Sequence, residues 1–249
     1  MNILVVNDDG IQSPGLRALV DALTTKADVF VCAPDGQRSA KSHSITLGEN
    51  VSVVSLDYPG AKAALQISGT PADCTKIGLQ FFEEDGNPID MVYSGMNLGS
   101  NLGWDTLYSG TVGAAIEAAM SGIHGVAVSV ASHNASHFDA AGQLAADLID
   151  KVYGNMDPHV VINLNVPDLP KEQIKGVKVV TLGQRYYDDK FHLVEGNQYA
   201  LSGYMADYSA SGEVDVTAVH DDYATITPLQ FDFTDKKNLD TVKEWNLSL

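Results

Sequence analysis

Basic residues, cysteines and long apolar runs are all scarce in this chain of 249 residues. Its 15 lysines and arginines against 32 aspartates and glutamates give a net charge of −17, which argues against a nucleic-acid partner, because such proteins present basic patches. The two cysteines, Cys32 and Cys74, lie in apolar segments without CxxC spacing, so we expect free buried thiols rather than a disulfide or a zinc site. No apolar run approaches the roughly 20 residues of a membrane helix, and the N-terminus lacks a signal-peptide pattern, so we expect a cytoplasmic protein without a membrane partner.

Strand and helix patterns alternate through about residue 165, in a chain whose 45% hydrophobic residues can form a full core. This alternation implies right-handed βαβ crossovers and a three-layer, Rossmann-like α/β sheet. Strands are predicted over residues 3–6, 28–33, 65–68, 89–93, 125–130 and 159–165. Helices are predicted over residues 14–26, from Pro71 onward, over residues 112–120 and over residues 137–152.

Beyond Pro167 the pattern changes. Short alternating stretches at residues 177–182, 213–219 and 223–227, separated by polar loops, predict hairpins rather than crossovers. The last segment carries Leu239, Val242 and Trp245 at helical spacing, an apolar stripe that must be buried somewhere. We therefore divide the chain into an α/β catalytic core, residues 1–170, and a β-hairpin extension with a C-terminal helix for oligomerisation, residues 171–249, which completes a single domain.

Two adjacent carboxylates, Asp8 and Asp9, follow the first apolar run. They are expected at the carboxyl end of a buried strand, outside which ligands bind in open parallel sheets. Like charges in such a crevice repel, and a bound Mg²⁺ or Mn²⁺ ion would neutralise them. The same residues also suit an ordinary turn that caps the helix beginning at Pro14. On this segment alone, both interpretations stand.

Two later loops supply further candidate ligands. After the second strand, Ser39 offers a neutral oxygen, while Arg38 and Lys41 could meet phosphate oxygens. After the fourth strand, Asn97 and Asn101 offer carbonyl oxygens among glycines that allow close approach to a ligand. Ordinary loop, cap and turn roles explain each of these loops when it is taken singly.

A small-residue helix start, Ser109-Gly110-Thr111, completes the candidate site. Free N–H groups and the helix dipole make such an N-terminus an anion site, although simple capping by Ser109 explains the same residues. All these groups fall in strand-to-helix loops on one edge of the predicted sheet. This coincidence favours a metal-assisted phosphate site over the separate structural roles.

An ordered set of motifs resembles that of the SurE family, essentially from end to end and least between residues 186 and 212. The motifs are Asn7-Asp8-Asp9-Gly10, the Ala33-Pro34 to Ser39 loop with Ser44-Ile45-Thr46, Gly69-Thr70-Pro71-Ala72-Asp73, Ser94-Gly95-Met96-Asn97, Tyr108-Ser109-Gly110-Thr111-Val112-Gly113, Asn163-Leu164-Asn165-Val166-Pro167 and Thr225-Ile226-Thr227-Pro228-Leu229. Two departures, Ala40 where the family often has Gly and Met96 where it often has Ile or Pro, remove no ligand.

The resemblance implies a divalent-metal-dependent 5′-nucleotidase, a phosphohydrolase acting on nucleoside monophosphates. The resemblance also implies that each subunit binds one Mg²⁺, Mn²⁺ or Co²⁺ ion through Asp8, Asp9, Ser39 and Asn97. It also implies a homodimer or homotetramer in which the C-terminal segment exchanges between protomers. Which base, which phosphate position and which metal are preferred, and whether 3′-monophosphates or short polyphosphate are cleaved, stays open.

The expected reaction is in-line attack on phosphorus by a metal-activated water. Asp8 and Asp9 would anchor the ion and one of them could accept a proton, while the helix start at Ser109–Thr111 would stabilise the equatorial oxygens. Arg38 and Asn101 are further candidates for substrate contact. His43 could protonate the leaving group, although a single loop histidine also suits a structural role.

Other classes fit the motifs less well. A haloacid-dehalogenase-type phosphatase needs a nucleophilic Asp and a second Asp two residues on, whereas here the acids are adjacent and position 7 is Asn. A receiver domain needs an acceptor Asp after its third strand, and residues 65–70 supply none. A dinucleotide-binding fold would show GxGxxG after its first strand. A non-catalytic, metal-dependent nucleotide sensor is the alternative that remains.

Overall fold

The computed structural model describes residues 1–206 and 213–248, which form a large, mostly parallel sheet covered by helices on both faces. The strands are β1 (Asn2–Val6), β2 (Asp28–Pro34), β3 (Val53–Leu56), β4 (Ala63–Ile67), β5 (Met91–Leu98), β6 (His124–Val130), β7 (Val161–Val166), β8 (Val177–Val179), β9 (Tyr186–Glu195), β10 (Gln198–Ala206) and β11 (Ala224–Leu229). The helices are α1 (Pro14–Leu23), α2 (Pro71–Glu84), α3 (Gly110–Met120), α4 (Asp139–Val152), α5 (Asp215–His220) and α6 (Leu239–Lys243).

The main sheet has the strand order β3-β4-β2-β1-β5-β6-β7-β11-β8. Strands β4, β2, β1, β5, β6 and β7 are parallel to their neighbours in that order, so their carboxyl ends lie on one edge. Helices α1 and α4 pack on one face, where Leu16 and Ile149 join one buried cluster, and α2 and α3 pack on the other, where Phe82 and Ala118 join a second. The three-layer α/β prediction is confirmed.

The predicted start of α2 is confirmed in detail. Thr70 Oγ1 accepts a hydrogen bond from the Asp73 N–H at 3.1 Å, and Asp73 Oδ2 accepts one from the Thr70 N–H at 2.9 Å, with Pro71 in the first turn. This reciprocal cap satisfies two backbone donors that the helix leaves free. Asp73 also accepts a bond from the Thr46 hydroxyl at 2.6 Å, which fixes the loop after β2 to this helix.

The C-terminal part differs from its prediction in one segment and in its pairing. Residues 213–219, predicted as a strand, contain helix α5, because the Asp215 carboxylate accepts bonds from the N–H groups of Gly103, Gly183 and Val216 and so fixes a helical turn there. Strands β8 and β11 join the main sheet instead of forming hairpins. The hairpin of the extension is β9–β10, which pairs antiparallel outside the main sheet.

The apolar stripe near the C-terminus is exposed in this single chain. Leu239, Val242 and Trp245 are 44%, 47% and 62% accessible, and α6 is much shorter than the predicted helix. Cys32 and Cys74 are buried free thiols, as predicted. Among the described residues, no helix combines the length and apolar character that a membrane span requires.

Candidate active site at the carboxyl edge of the sheet

Asp8 is the most buried acid at the end of β1, with 5% of its surface accessible. Its Oδ1 accepts a hydrogen bond from the Thr111 hydroxyl at 2.7 Å, which joins the end of β1 to the first turn of α3. Burial raises the pKa of Asp8 to about 6, against the opposing effect of the Thr111 bond, and the neighbouring Asp9 charge adds to the increase. This carboxylate is therefore held in a site that disfavours its charge.

Asp9 connects the end of β1 to Leu98, the last residue of β5. Its Oδ2 accepts a bond from the Leu98 N–H at 3.0 Å, which brings the adjacent Asn97 to the same edge. The Asn97 Nδ2 group donates to the Gly99 carbonyl at 2.7 Å, so its Oδ1 is the atom left for another ligand. Burial raises the pKa of Asp9, while the Leu98 N–H and the nearby His133 act in the opposite direction.

The loop after β2 contacts the same acids through its backbone. The Arg38 N–H donates to the Asp8 carbonyl at 2.7 Å, and Ser39, an exposed residue, follows directly in the chain. The Arg38 guanidinium itself forms an ion pair with Asp35 rather than facing the acids. Its predicted phosphate contact therefore requires a different rotamer from the one in the structure.

Helix α3 begins directly against Asp8. Ser109 is its N-cap and accepts a bond from the Val112 N–H at 3.1 Å. A β-carbon at Gly110 would come within 3.1 Å of Asp8 Oδ2 and 3.0 Å of Pro71 Cγ, so a side chain at this position would have to displace Asp8 or Pro71 by a few tenths of an ångström. The first turn of this eleven-residue helix therefore lies against the buried acid, and both the N–H and the hydroxyl of Thr111 donate to the Asp8 carboxylate. A helix N-terminus also attracts anions, so a phosphate bridged to the acids by a cation would suit this arrangement.

The donor set fits a hard divalent cation. Asp8 and Asp9 offer carboxylate oxygens, the ligand type that Mg²⁺ and Mn²⁺ prefer. Ser39 and Asn97, which offer neutral oxygens, are the chain neighbours of Arg38 and Leu98, whose N–H groups bond to Asp8 and Asp9. No group of three or more His, Cys, Asp or Glu side chains with metal-site geometry occurs in the described part of the chain. A cation at this edge would therefore need the neutral oxygens as well as the two acids.

Comparison with known proteins decides the family. The profile described as "Survival protein SurE" matches residues 3–189. The chain belongs to the SurE family. It is 40% identical to the 5′-nucleotidase SurE of Syntrophomonas wolfei, over 94% of this chain and 90% of that protein, and 39% identical to the 5′-nucleotidase SurE of Symbiobacterium thermophilum, over 99% and 98%. The crystal structure of the SurE protein from Aquifex aeolicus superposes with a TM-score of 0.83 at 33% identity, covering 99% of this chain and all of that one.

Two residues predicted for this SurE site have their side chains occupied elsewhere. His43 Nε2 lies 2.7 Å from Glu117 Oε2, further along α3 from Thr111, and Lys76 Nζ binds the other oxygen of this buried carboxylate at 2.6 Å. Asn101 is buried, and its Nδ2 donates to the Ser129 hydroxyl at 2.8 Å. In this structure, neither side chain is directed at Asp8 by its contacts.

The two C-terminal SurE motifs pair with each other and bind the loop after β5 that carries Asn101. In the antiparallel pair of β7 and β11, Thr225 lies opposite Asn165 and Thr227 opposite Asn163. Asn165 binds both backbone groups of Asn101, accepting from its N–H at 2.8 Å and donating to its carbonyl at 3.1 Å. These motifs therefore fix the segment between the acidic edge and the start of α3.

His133 is the residue at this edge that the sequence prediction missed. It follows β6, and its Nδ1 lies 3.1 Å from the Leu98 carbonyl oxygen. The ring is so close to Gly99 that a β-carbon there would come within 2.8 Å of its Cε1. The rule that directed attention to the other strand ends applies equally to β6, so this position could have been found from the sequence.

Proposed function

We propose that this chain is a divalent-metal-dependent 5′-nucleotidase, which releases phosphate from nucleoside 5′-monophosphates. The observation that carries the proposal is the contact between Asp8 and Thr111, which sets a buried carboxylate against the N-terminus of α3. A carboxylate and a helix N-terminus attract ligands of opposite sign, and a phosphate bound through a cation satisfies both. The names of the SurE relatives support the same activity.

Asp8, Asp9, Ser39 and Asn97 would hold the cation. When bound, Mg²⁺, Mn²⁺ or Co²⁺ supplies Lewis-acid charge that polarises a phosphoryl oxygen and makes a nearby water more acidic. The protein's own contribution is to hold the acids in place through the Thr111 and Leu98 bonds, which favour the ionised forms of Asp8 and Asp9 against the opposing effect of burial.

The phosphate would bind at the start of α3. The backbone N–H of Gly110 lies in the first turn, where no carbonyl of the helix accepts from it, and can donate to an equatorial oxygen, whereas the Thr111 N–H donates to the Asp8 carboxylate. The charge of the transferring phosphoryl group is spread over its equatorial oxygens, so a donor fixed here orients the group and stabilises its charge during the reaction. Ser109 stabilises this turn by accepting a hydrogen bond from the Val112 N–H as the N-cap.

We further propose a homodimer or homotetramer formed through the C-terminal extension. The stripe of Leu239, Val242 and Trp245 is exposed, as are Phe191, Leu193 and Leu201 on the β9–β10 hairpin. An isolated two-stranded hairpin is marginally stable in water, and exposed apolar surface of this kind is typical of a contact with another chain. A second protomer would cover both surfaces.

Phosphate release from a panel of nucleoside 5′- and 3′-monophosphates and short polyphosphate tests the proposal. Assays with EDTA, Mg²⁺, Mn²⁺ and Co²⁺ should show release that depends on the metal and is lost with EDTA. Binding of a nucleoside 5′-monophosphate, measured by calorimetry in the same buffers, distinguishes a 5′-nucleotidase from a non-catalytic nucleotide sensor. Metal-dependent binding without phosphate release would contradict the enzyme assignment and support the nucleotide sensor instead.

A further inference from the structure

Residues 100–109, the connecting segment, join the end of β5 to the start of α3. Within this fully described segment, the only regular element is a short 3₁₀ helix, Gly103–Leu107. Its last residue, Ser109, is the N-cap of α3, and the next peptide carries the Gly110 N–H. The direction of this N–H therefore depends on how the connecting segment approaches the helix.

Side chains from distant parts of the chain hold the first half of the connecting segment. Asn165 binds both backbone groups of Asn101, and the buried Asp215 carboxylate accepts from the Gly103 N–H at 2.7 Å. A segment outside the sheet has few backbone partners, so side-chain bonds of this kind determine its path. The residues that make these bonds therefore influence where α3 starts.

Arg185, directly before β9, holds two further points of the connecting segment. Its Nη1 donates to Asp105 Oδ2 at 2.8 Å, and its Nη2 donates to Ser100 Oγ at 3.0 Å. Arg185 and Asp105 are both half-buried, so their ion pair is less screened by water than a surface pair. Because a guanidinium is planar and rigid, the two bonds fix Ser100 and Asp105 relative to each other.

The two residues after Arg185 strengthen this attachment. The Tyr187 hydroxyl donates at 2.6 Å to Asp105 Oδ2, the oxygen that Arg185 also binds. The Tyr186 ring meets the Trp104 ring edge-on, with the ring centroids 5.7 Å apart. Three consecutive residues at the start of the β9–β10 hairpin thus contact the connecting segment, and Arg185 makes the charged contact.

We propose that Arg185 is a positioning residue for phosphate binding at the start of α3. The inference rests on the proposed function. The two bonds of Arg185 fix the path of the connecting segment, and that path directs the Gly110 N–H at the phosphate. Arg185 needs no contact with the substrate itself, because the connecting segment already binds its charged end.

The proposed metal ligands are held independently of Arg185. Asp9 accepts from the Leu98 N–H, and Asn97 donates to the Gly99 carbonyl, both before the connecting segment begins. Loss of the Arg185 bonds should therefore weaken phosphate binding and leave metal binding unchanged. A general loss of stability would not separate the two ligands in this way.

Isothermal titration of the Mn²⁺-loaded protein with inorganic phosphate tests this role. Arg185→Met removes both bonds and keeps a long apolar side chain, and we expect the Kd of phosphate to rise about tenfold or more. The Kd of Mn²⁺, measured separately, should stay within about twofold of wild type. Arg185→Lys keeps the charge but not the planar fork, so its phosphate Kd should lie between those of Arg185→Met and wild type.

Tyr187→Phe is a milder variant, because it removes one hydroxyl and leaves the guanidinium in place. Its phosphate Kd should rise about threefold. The matched control is Lys76→Met, which also removes a cation from a buried carboxylate, that of Glu117, about two turns along α3 from Gly110. The phosphate Kd of this control should equal that of wild type.

A phosphate Kd that is unchanged in Arg185→Met and in Tyr187→Phe, or that rises equally in Lys76→Met, would overturn the positioning role. An equal loss of Mn²⁺ affinity in Arg185→Met would also overturn it, because the arginine would then only stabilise the fold. If Arg185→Met does not fold, the phosphate Kd of Tyr187→Phe decides alone. Failure of the wild type to release phosphate from nucleotides would overturn the proposed function alone, since the phosphate Kd values do not depend on turnover.

Discussion

The Thr111 hydroxyl donates to Asp8 Oδ1 at 2.7 Å, so the first turn of α3 and the end of β1 share one hydrogen bond. The bond places the anion-binding end of a helix beside a carboxylate that burial has made a weaker acid. Without a cation, a phosphate at this helix start would be repelled by the ionised Asp8. Phosphate binding at the proposed site would therefore depend on the metal.

Asp9→Asn should abolish metal-dependent phosphate release. The substitution removes a charge but little volume, and Asn Oδ1 can still accept from the Leu98 N–H, so the fold should persist. We expect kcat/KM at saturating Mg²⁺ to fall by about two orders of magnitude or more, with an unchanged circular dichroism spectrum. Near wild-type activity would show that Asp9 is not a ligand.

Mn²⁺ affinity should decline as pH falls through about 6, because Asp8 with its pKa of about 6 must lose a proton to bind metal. Isothermal titration calorimetry at several pH values measures this, and binding should release protons to the buffer near pH 6. An affinity that is constant down to about pH 5 would separate Asp8 from the metal.

The metal-free protein should show the opposite trend in stability. The pKa of Asp8 is raised in the fold, so its stabilising contribution is complete below the ordinary value of 3.8 and is lost as pH rises through about 6. The free energy of unfolding of wild type minus that of Asp8→Asn should therefore fall by on the order of 2 kcal/mol between about pH 4 and pH 7. Denaturant unfolding in EDTA measures this difference, and the variant serves as the control for all other carboxylates.

Gly110→Val should weaken inorganic phosphate as a competitive inhibitor by about tenfold or more. The valine side chain would be forced against Asp8 and Pro71, both about 3 Å from the position of its Cβ, and would push the start of α3 away from the acids. Steady-state inhibition with a nucleoside 5′-monophosphate gives the constant. If the inhibition constant does not change, phosphate binds elsewhere.

Asn165→Asp should cost about 2 kcal/mol of unfolding free energy, because a carboxylate oxygen would replace the amide that donates to the Asn101 carbonyl. The control is Thr227→Val in the same buried layer. Among the described residues, its hydroxyl has no hydrogen-bond partner, so removing it should be neutral or stabilising. A loss of about 1 kcal/mol or more in Thr227→Val would instead indicate an internal water bound there.

Removing residues 235–249 should yield smaller particles in light scattering, because it deletes the exposed stripe of Leu239, Val242 and Trp245. Lys236→Ala, next to the stripe and paired with Asp232, should leave particle size unchanged. Mn²⁺ binding should survive the truncation, since the proposed ligands lie in the N-terminal core. A full-length protein that is monomeric at micromolar concentration would contradict exchange of this segment.

The elements that the sequence predicted best are those with strong local signals. Thr70, Pro71 and Asp73 specify the start of α2 by capping chemistry alone, and the structure confirms it. The buried strands β1 and β2 contain unbroken apolar runs, residues 3–6 and 29–34, because both of their faces are covered. The strand predicted over residues 213–219 was wrong, because the helix found there depends on hydrogen bonds from the N–H groups of Gly103 and Gly183 to Asp215. Gly103 and Gly183 are distant from Asp215 in sequence.

The sequence by itself determined the α/β class, the edge at which the acids lie, and the motif set that marks the family. Those properties follow from local patterns and from the rule that parallel strands end on one edge. Only the tertiary structure decided which side chains meet: Thr111 rather than a basic residue at Asp8, Glu117 at His43, and His133 at Leu98. Such contacts depend on distances between segments that are remote along the chain, and no local pattern in the sequence encodes those distances.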